Sequence, residues 1–451
     1  MDCVRHDTVY WTLSHREDND MGCNDAKKKP SGQDSSAGKI AFHCGDQNLA
    51  SGFRWAKEQA LFYAHDQGPA GPWYEAALPG RDAYCMRDVS HQAAGAHFLG
   101  LDAHNKNMLR RFAQSMSESR DYCCFWEITR HGTPAPVDYA SDQDFWYNLP
   151  ANFDLLDACW RVYCLTGDGD YLDSPEFLSF YDRTVGEYIA AWDHDGDGIP
   201  DRDMRGVHRR GIPSYDEQKG MEKMAVAADL IAAEYRGLIS YAKLRNLTGT
   251  EAADWNRKAE QLAGHLAVQW YDQENQRFYG AMDPTGQMFP ALGSPHLLAY
   301  FDAVRDEAQR LALLDQLHAL GQEGVIVELL SHYPEIFFHH GQPERGLFWL
   351  ERLTSPTLPR REYPEASFAA VGAYVTGLMG VSGDARTRTL RTDSRLPPYA
   401  DCASLENCPL FGGSIDLTYR GPCTHLRNRT GAPLYWRGKW VADRETAESI
   451  Q

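Results

Sequence analysis

At 451 residues the chain can hold two or three ordinary domains or one large body, and its 43% apolar content supplies a sizeable core, which excludes global disorder. A formal net charge of −18 excludes a nucleic-acid partner, whose phosphates require a basic surface, and disfavours anionic membranes. No apolar run reaches the roughly 20 residues that a transmembrane helix needs, so no membrane partner is expected.

Residues 1 to 52 read as an irregular extension. VYWTL is a candidate short strand and KKKPSGQDSSAGK a loop. The opening MDCVRHDTVYW lacks the apolar centre of a signal peptide. The chain is therefore expected in the cytoplasm, or exported with its signal outside this sequence. From Phe53 the texture becomes helical. RWAKEQALFYAHD, VSHQAAGAHFLGL and NKNMLRRFAQSMSES carry apolar residues at helical spacing. NLPANFDLLDACWRVYCLTG and PEFLSFYDRTVGEYIAAW follow, then the Ala-rich EKMAVAADLIAAEYRGLISYAKLRNL and TEAADWNRKAEQLAGHLAVQWY. HLLAYFDAV, DEAQRLALLDQLHAL, PERGLFWLERL and EASFAAVGAYVTGLMGV complete about eleven or twelve helices between residues 53 and 382. After residue 383, CPLFGGSIDLTYRG, CTHLRNRTG and APLYWRGKW alternate as short strands with glycine turns, a small β-element over residues 383 to 451. Eleven cysteines are present and none shows metal spacing; most read as reduced thiols, with one disulfide left open among Cys402, Cys408 and Cys423.

Five loops carry chemistry. In WDHDGDGIPD, Asp193, Asp195, Asp197 and Asp201 take positions 1, 3, 5 and 9 of a calcium loop, and Ile199 offers a backbone carbonyl. Met204 stands where the bidentate acid belongs, and a tight Asx turn without metal fits the same residues. In ALPGRDAYCMRDVSHQ, Arg81, Arg87, Asp88 and His91 crowd a helix entry, either as a cap and salt-bridge cluster or as a hydroxyl-binding subsite. SDQDFWYNLPANFD places Asp144, Trp146 and Tyr147 ahead of a helix, which suits sugar stacking or a hydrophobic staple. RRGIPSYDEQKGMEK brings Tyr215, Asp216 and Glu217 before the central helix. LPRREYPEASF brings Arg361, Glu362, Tyr363 and Glu365 before the last one. Glycosidases need two carboxyl groups flanking the scissile bond, but acids also favour any helix N-terminus.

With these residues in view, the chain resembles the six-hairpin glycosidase superfamily, which includes trehalases, α-rhamnosidases and bile-acid β-glucosidases. DGDGIPD is similar to an acidic inter-helix loop of the β-glucosidase branch. REYPEASFAAVGAYVTGLMGV is similar to the step into the last helix of trehalases. The resemblance covers roughly residues 53 to 382. It implies an all-α (α/α)6 toroid with a small C-terminal β-element, and a glycoside hydrolase acting on an oligosaccharide or glycoconjugate, with inversion. It implies Asp216 as general acid and Glu362 as general base, with Glu217 and Glu365 as rivals. Arg81, Arg87, Asp88, His91, Asp144, Trp146, Tyr147, Tyr215, Arg361 and Tyr363 are the expected sugar contacts. A structural Ca2+ and no organic cofactor are expected. Two other readings stay open: a lyase acting on a uronic acid, with His91, His339, His340, Tyr215 or Arg87 in its chemistry, and a non-catalytic carbohydrate-binding protein.

Overall fold

The computed structural model describes residues 37–202, 210–217, 220–249, 252–400 and 402–450. The VYWTL strand and most of the lysine-rich loop lie outside them. Among the described residues, apart from the single turns Asp170–Asp173 and Val327–Leu330, twelve helices alternate between two rings. The odd-numbered ones are α1 (Gln47–Phe62), α3 (Asp102–Ser115), α5 (Pro175–Arg183), α7 (Ala253–Gln269), α9 (Glu307–Glu323) and α11 (Pro343–Leu353). The even-numbered ones are α2 (Met86–Phe98), α4 (Ala151–Thr166), α6 (Ala228–Leu247), the single turn α8 (His296–Tyr300), α10 (Tyr333–His339) and α12 (Pro364–Gly372).

Each even helix packs on the next even helix, and α12 closes on α2, so these six form an inner ring. The odd helices lie outside it: α3, α7, α9 and α11 each pack on the inner helix before them, α5 packs on α3 and α1 on α12. Burial follows this placement. In α2, 11 of 13 residues are buried, whereas outer α7 buries only Ala259, Leu262, Ala263 and Leu266, one narrow stripe. A helix buried all round must bury its polar residues too, which is how Asp88 and His91 of α2 come to lie inside.

α1 begins at Gln47, six residues before the helical texture predicted at Phe53. The Asp46 carboxylate accepts the backbone N–H groups of Asn48 and Leu49, each at 2.9 Å, and so fixes the start. α5 continues through a π-turn (Thr184–Tyr188) into Ile189–Trp192, and α12 runs on through a second π-turn (Ala373–Leu378).

The C-terminal β-element is present as expected. β4 (Cys402–Leu410), β5 (Gly413–Arg420), β6 (Cys423–Arg429) and β7 (Thr446–Ile450) form an antiparallel sheet. Ile415, Leu417 and Tyr419 alternate inward on β5. The sheet has an unforeseen edge: β1 (Ala41–Cys44) pairs antiparallel with β4, so the N-terminal extension and the C-terminal element share one sheet. The His97 Nε2 of α2 lies 3.2 Å from the Pro409 carbonyl, and the Tyr419 hydroxyl donates to the Met379 carbonyl at 2.8 Å, so the sheet is docked on the ring. All described cysteines, Cys402, Cys408 and Cys423 included, are free thiols, so the disulfide left open by the sequence does not form.

The α2–α12 seam closes the ring through a glycine. A Cβ on Gly95 would stand 2.0 Å from the Phe368 carbonyl oxygen, a contact that only backbone movement relieves. Gly95→Ala should destabilise the fold by about 1–3 kcal/mol. A melting temperature equal to wild type would show that the seam is looser than drawn.

Candidate active site

The inner helices are fed by loops at one end of the ring, and their first turns carry acids: Asp88 in α2, Asp154 in α4, Asp229 in α6 and Glu365 in α12. Helix N-termini favour carboxylates electrostatically, and a helix-lined interior desolvates them. These four are all buried, so each needs partners.

His91, one turn into α2, supplies the central contact. Its Nε2 lies 2.7 Å from Asp154 Oδ2 and its Nδ1 lies 3.2 Å from Glu365 Oε1. Burial alone would lower the imidazole pKa, but Asp154 and Glu365 outweigh it and raise it to about 9. Burial alone would raise the Glu365 pKa, yet His332 and His91 hold it well below the usual carboxylate range. The Tyr215 hydroxyl also donates to Asp154, at 3.1 Å. The Tyr363 hydroxyl donates to Asp88 at 2.9 Å, and Arg87 Nε donates to the other Asp88 oxygen at 3.1 Å. Asp229 accepts the Tyr215 backbone N–H and the Ser214 hydroxyl, which staples the loop before α6 to the helix. Burial pushes its carboxyl up to about 7 despite those bonds.

Above this floor is a half-open layer of charge. β2 (Ala83–Cys85) and β3 (Glu127–Thr129) pair as a short ribbon and set Arg81 beside Glu127. Arg81 Nη2 lies 3.0 Å from Glu127 Oε2 and 3.4 Å from Asp138 Oδ2. Burial, reinforced by Asp138 and opposed by Arg81, raises the Glu127 pKa to about 8. Arg87 lies over the Tyr215 ring, 5.6 Å from its centroid, and the Trp126 ring is 6.3 Å from the same tyrosine. Glu217 reaches solvent, yet burial is the largest cause of its raised pKa, with Arg87, Asp138, Asp216 and Arg81 as the charges acting on it.

No protein-family model and no curated protein matches the sequence. Solved structures do match. A protein described as a kojibiose phosphorylase, from the human microbiome, superposes with a TM-score of 0.60 at 10% identity over 92% of this chain and 63% of its own. A GH78 family rhamnosidase of Bacillus sp. GL1 gives 0.62 at 14% identity, over 90% of this chain and 43% of its own. A glycosidase variant solved in complex with glucose gives 0.52 at 12% identity, over 74% of this chain and 98% of its own.

The chain has the six-hairpin glycosidase fold.

In this six-hairpin ring the predicted residues separate into three groups. Arg81, Arg87, Asp88, His91, Tyr215, Asp216, Glu217, Tyr363 and Glu365 gather at the N-terminal end of the inner ring, as mouth or floor. Asp216 is buried there, its Oδ2 accepting the Gly293 N–H at 2.8 Å. A second group turns away. Glu362 is exposed, and its carbonyl accepts the hydroxyl of Tyr63 at the end of outer helix α1. Arg361 lies 3.8 Å from the centroid of Trp55 in α1 and donates to the Thr354 carbonyl at 2.8 Å. Tyr147 is a core residue with no exposed face, its hydroxyl bonded to Asn152, so it is no sugar platform. Trp146 is half-buried against the core and Asp144 half-buried in a two-residue strand. His339 and His340 end α10 and so lie at the opposite end of the ring from the mouth. A cavity of about 520 Å³ opens at that opposite end, lined by Trp160, Arg161, Glu335, His339, Arg391 and Arg395 among others. The third group is the acidic loop. Asp193 accepts the N–H groups of Gly196 and Gly198, and Asp197 accepts that of Ile199, a nest of Asx turns. Asp201 is held by His194 Nδ1 at 2.6 Å.

Sequence reasoning missed Glu127, Asp138, Asp154 and His332. The first two lie in FWEITRHGTPAPVDYASDQDFWYN, where only the density of acids and aromatics is visible. Asp154 follows the pattern of any first-turn acid, and nothing local distinguishes His332.

A carboxyl whose pKa rises on folding favours the native state fully below its ordinary pKa, and that contribution is lost as pH rises through the raised value. For Glu127 the window runs from 4.5 to about 8. Glu127→Gln should therefore flatten the fall of melting temperature across this window relative to wild type. Parallel pH profiles would show that Glu127 ionises normally.

Proposed function

We propose that the chain cleaves a glycosidic bond, with Glu217 as general acid and Asp138 as general base. The observation that carries this reading is Glu217 itself. It is a solvent-reachable carboxyl at the mouth of a six-hairpin ring, its pKa raised by burial and by Asp138 and Asp216. A general acid needs a raised proton affinity and access to the leaving oxygen, and the raised pKa and exposed side chain of Glu217 support it in that role. Asp138 is half-buried, lies beside Arg81 at 3.4 Å and neighbours Glu127, whose pKa it helps to raise. Glu217 would deliver its proton to the departing oxygen while Asp138 takes one from the water that attacks the anomeric carbon. Arg81, Arg87, Trp126 and Tyr215 would hold the sugar. Asp216, bound to Gly293, and Glu362, at the outer rim, are less suited to proton transfer than Glu217.

The chain spans 63% and 43% of the first two structures it matches, so sugar, linkage and anomer belong to experiment. A screen of aryl glycosides and uronate-bearing oligosaccharides should release a plain reducing sugar. Glu217→Gln should cut turnover about 10²-fold or more while binding survives. A new ultraviolet absorbance from an unsaturated uronate would mean a lyase. Binding without turnover of any glycan would mean a carbohydrate-binding protein. NMR of the first-formed anomer tests the expected inversion.

We propose further that Ca2+ occupies the acidic loop. Asp193, Asp195 and Asp197 place carboxylate oxygens within 4.8 Å of one another. The candidate for the acid absent at the end of the loop motif is Glu234 of α6. Glu234 is buried, its Oε2 has no hydrogen-bond partner among the described residues, and Asp197 and Asp193 are the acidic charges acting on it. Burial, then Asp197 and Asp193, raise its pKa, so ionising this carboxyl is costly unless a cation meets it. The Ile199 carbonyl is the expected backbone ligand, and Asp201 would have to leave His194 to join. Chelation should lower the melting temperature of wild type and have little effect on Glu234→Gln. If a calcium-free preparation melts at the same temperature with and without added Ca2+, the loop is only a turn.

A further inference from the structure

Below the mouth, three side chains from three separate segments converge on one point. His91 Nδ1 of α2 and His332 Nε2, just before α10, are 2.7 Å apart. Each is 3.2 Å from Glu365 Oε1 of α12. Donors on adjacent corners of an octahedron with metal bonds of about 2.1 Å stand about 3.0 Å apart. The three separations bracket that value.

The surroundings fit a cation better than a shared proton. The far nitrogen of His91, Nε2, faces Asp154 Oδ2 at the ion-pair distance of 2.7 Å, which leaves Nδ1 for the centre. Glu365 Oε2 is buried without a hydrogen-bond partner among the described residues, and so is available as a second oxygen ligand. Charge points the same way. Arg87 is paired with Asp88, which leaves Asp154 and Glu365 as two buried negative charges around His91. One proton on His91 offsets one of them; a divalent ion bound by neutral imidazoles offsets both.

We infer that His91, His332 and Glu365 hold a divalent transition-metal ion, Zn2+ or a first-row neighbour. Two imidazole nitrogens and one carboxylate suit such ions, whereas Ca2+ and Mg2+ take oxygen ligands. The site is thus distinct in chemistry from the all-oxygen Asp193 loop. It ties α2, α10 and α12 together at the floor of the mouth, and three protein ligands leave room for water or a sugar hydroxyl. Metal binding here does not depend on which glycan, if any, the mouth accepts.

The test uses the full chain, stripped by chelator and then titrated with Co2+ as probe. Wild type should retain about one equivalent through gel filtration and show visible ligand-field absorption. His332→Gln should lose both, and Asp154→Asn should weaken binding about 10–100-fold. Glu234→Gln, on α6 beside the acidic loop, should leave Co2+ binding unchanged. Folded wild type that binds no Co2+ would overturn the inference and leave a proton-sharing cluster. Binding equally strong in folded His332→Gln would overturn it as well. Should the variants fail to fold, X-ray absorption of Zn2+-loaded wild type decides: two imidazole nitrogens in the first shell support the site, and a shell without them refutes it.

Discussion

The constraint on which the molecule depends is the burial of acids at the head of a ring of helices. Six inner helices present their N-termini at one end, and those N-termini attract Asp88, Asp154, Asp229 and Glu365. None of these carboxylates can keep its water. His91 answers two of them at once, at 2.7 Å and 3.2 Å, and in doing so joins α2 to α4 and α12. Tyr363 and Arg87 answer the third, and the loop before α6 answers the fourth with Ser214 and a backbone N–H. Removing one partner from such a cluster strands a buried charge, which costs far more than a surface ion pair gains. The floor is therefore rigid for the same reason that it is polar.

A rigid floor makes the layer above it selective about protons. Glu127 and Glu217 sit where burial raises their pKa values, yet Glu217 still meets water. Arg81 and Arg87 balance the acids without neutralising every one of them. The result is a short stretch of wall in which neighbouring carboxyls differ in proton affinity. Acid–base chemistry needs that division of roles, and environment rather than residue type creates it. The opposite end of the ring also has arginines and a cavity, and the carboxyls among the described residues lining it are Asp157, Asp302, Glu335 and Asp393; Asp157 is held below its ordinary pKa by Arg236 and Arg161 even though burial opposes them.

How much of this the sequence revealed depended on the range of the interactions involved. Helical spacing from Phe53 onward and period-two alternation in SIDLTYR are local, and both elements stand where the texture put them. The early start of α1 was also local, signalled by Asp46, though a single cap residue is easily passed over. The pairing of β1 with β4 was not legible, because it joins residues more than 350 positions apart. The same holds for the floor. His91 meets Glu365 across 274 positions and His332 across 241, and no local pattern records either meeting. Acids before the central and last helices were visible as acids. Whether each faces the axis or the rim depends on one turn of chain, and Glu362 and Glu365 fall on opposite sides of that choice.

The most direct test of the central claim, that the N-terminal mouth of the ring binds and cleaves a sugar, is a crystal structure with an unreactive substrate analogue found by the glycoside screen. The account predicts the ring of the sugar between Trp126, Tyr215, Arg81 and Arg87, with the glycosidic oxygen within hydrogen-bond reach of Glu217 and a water between Asp138 and the anomeric carbon. A sugar seated instead in the cavity beside Arg161, Arg391 and Arg395, at the other end of the ring, would contradict it.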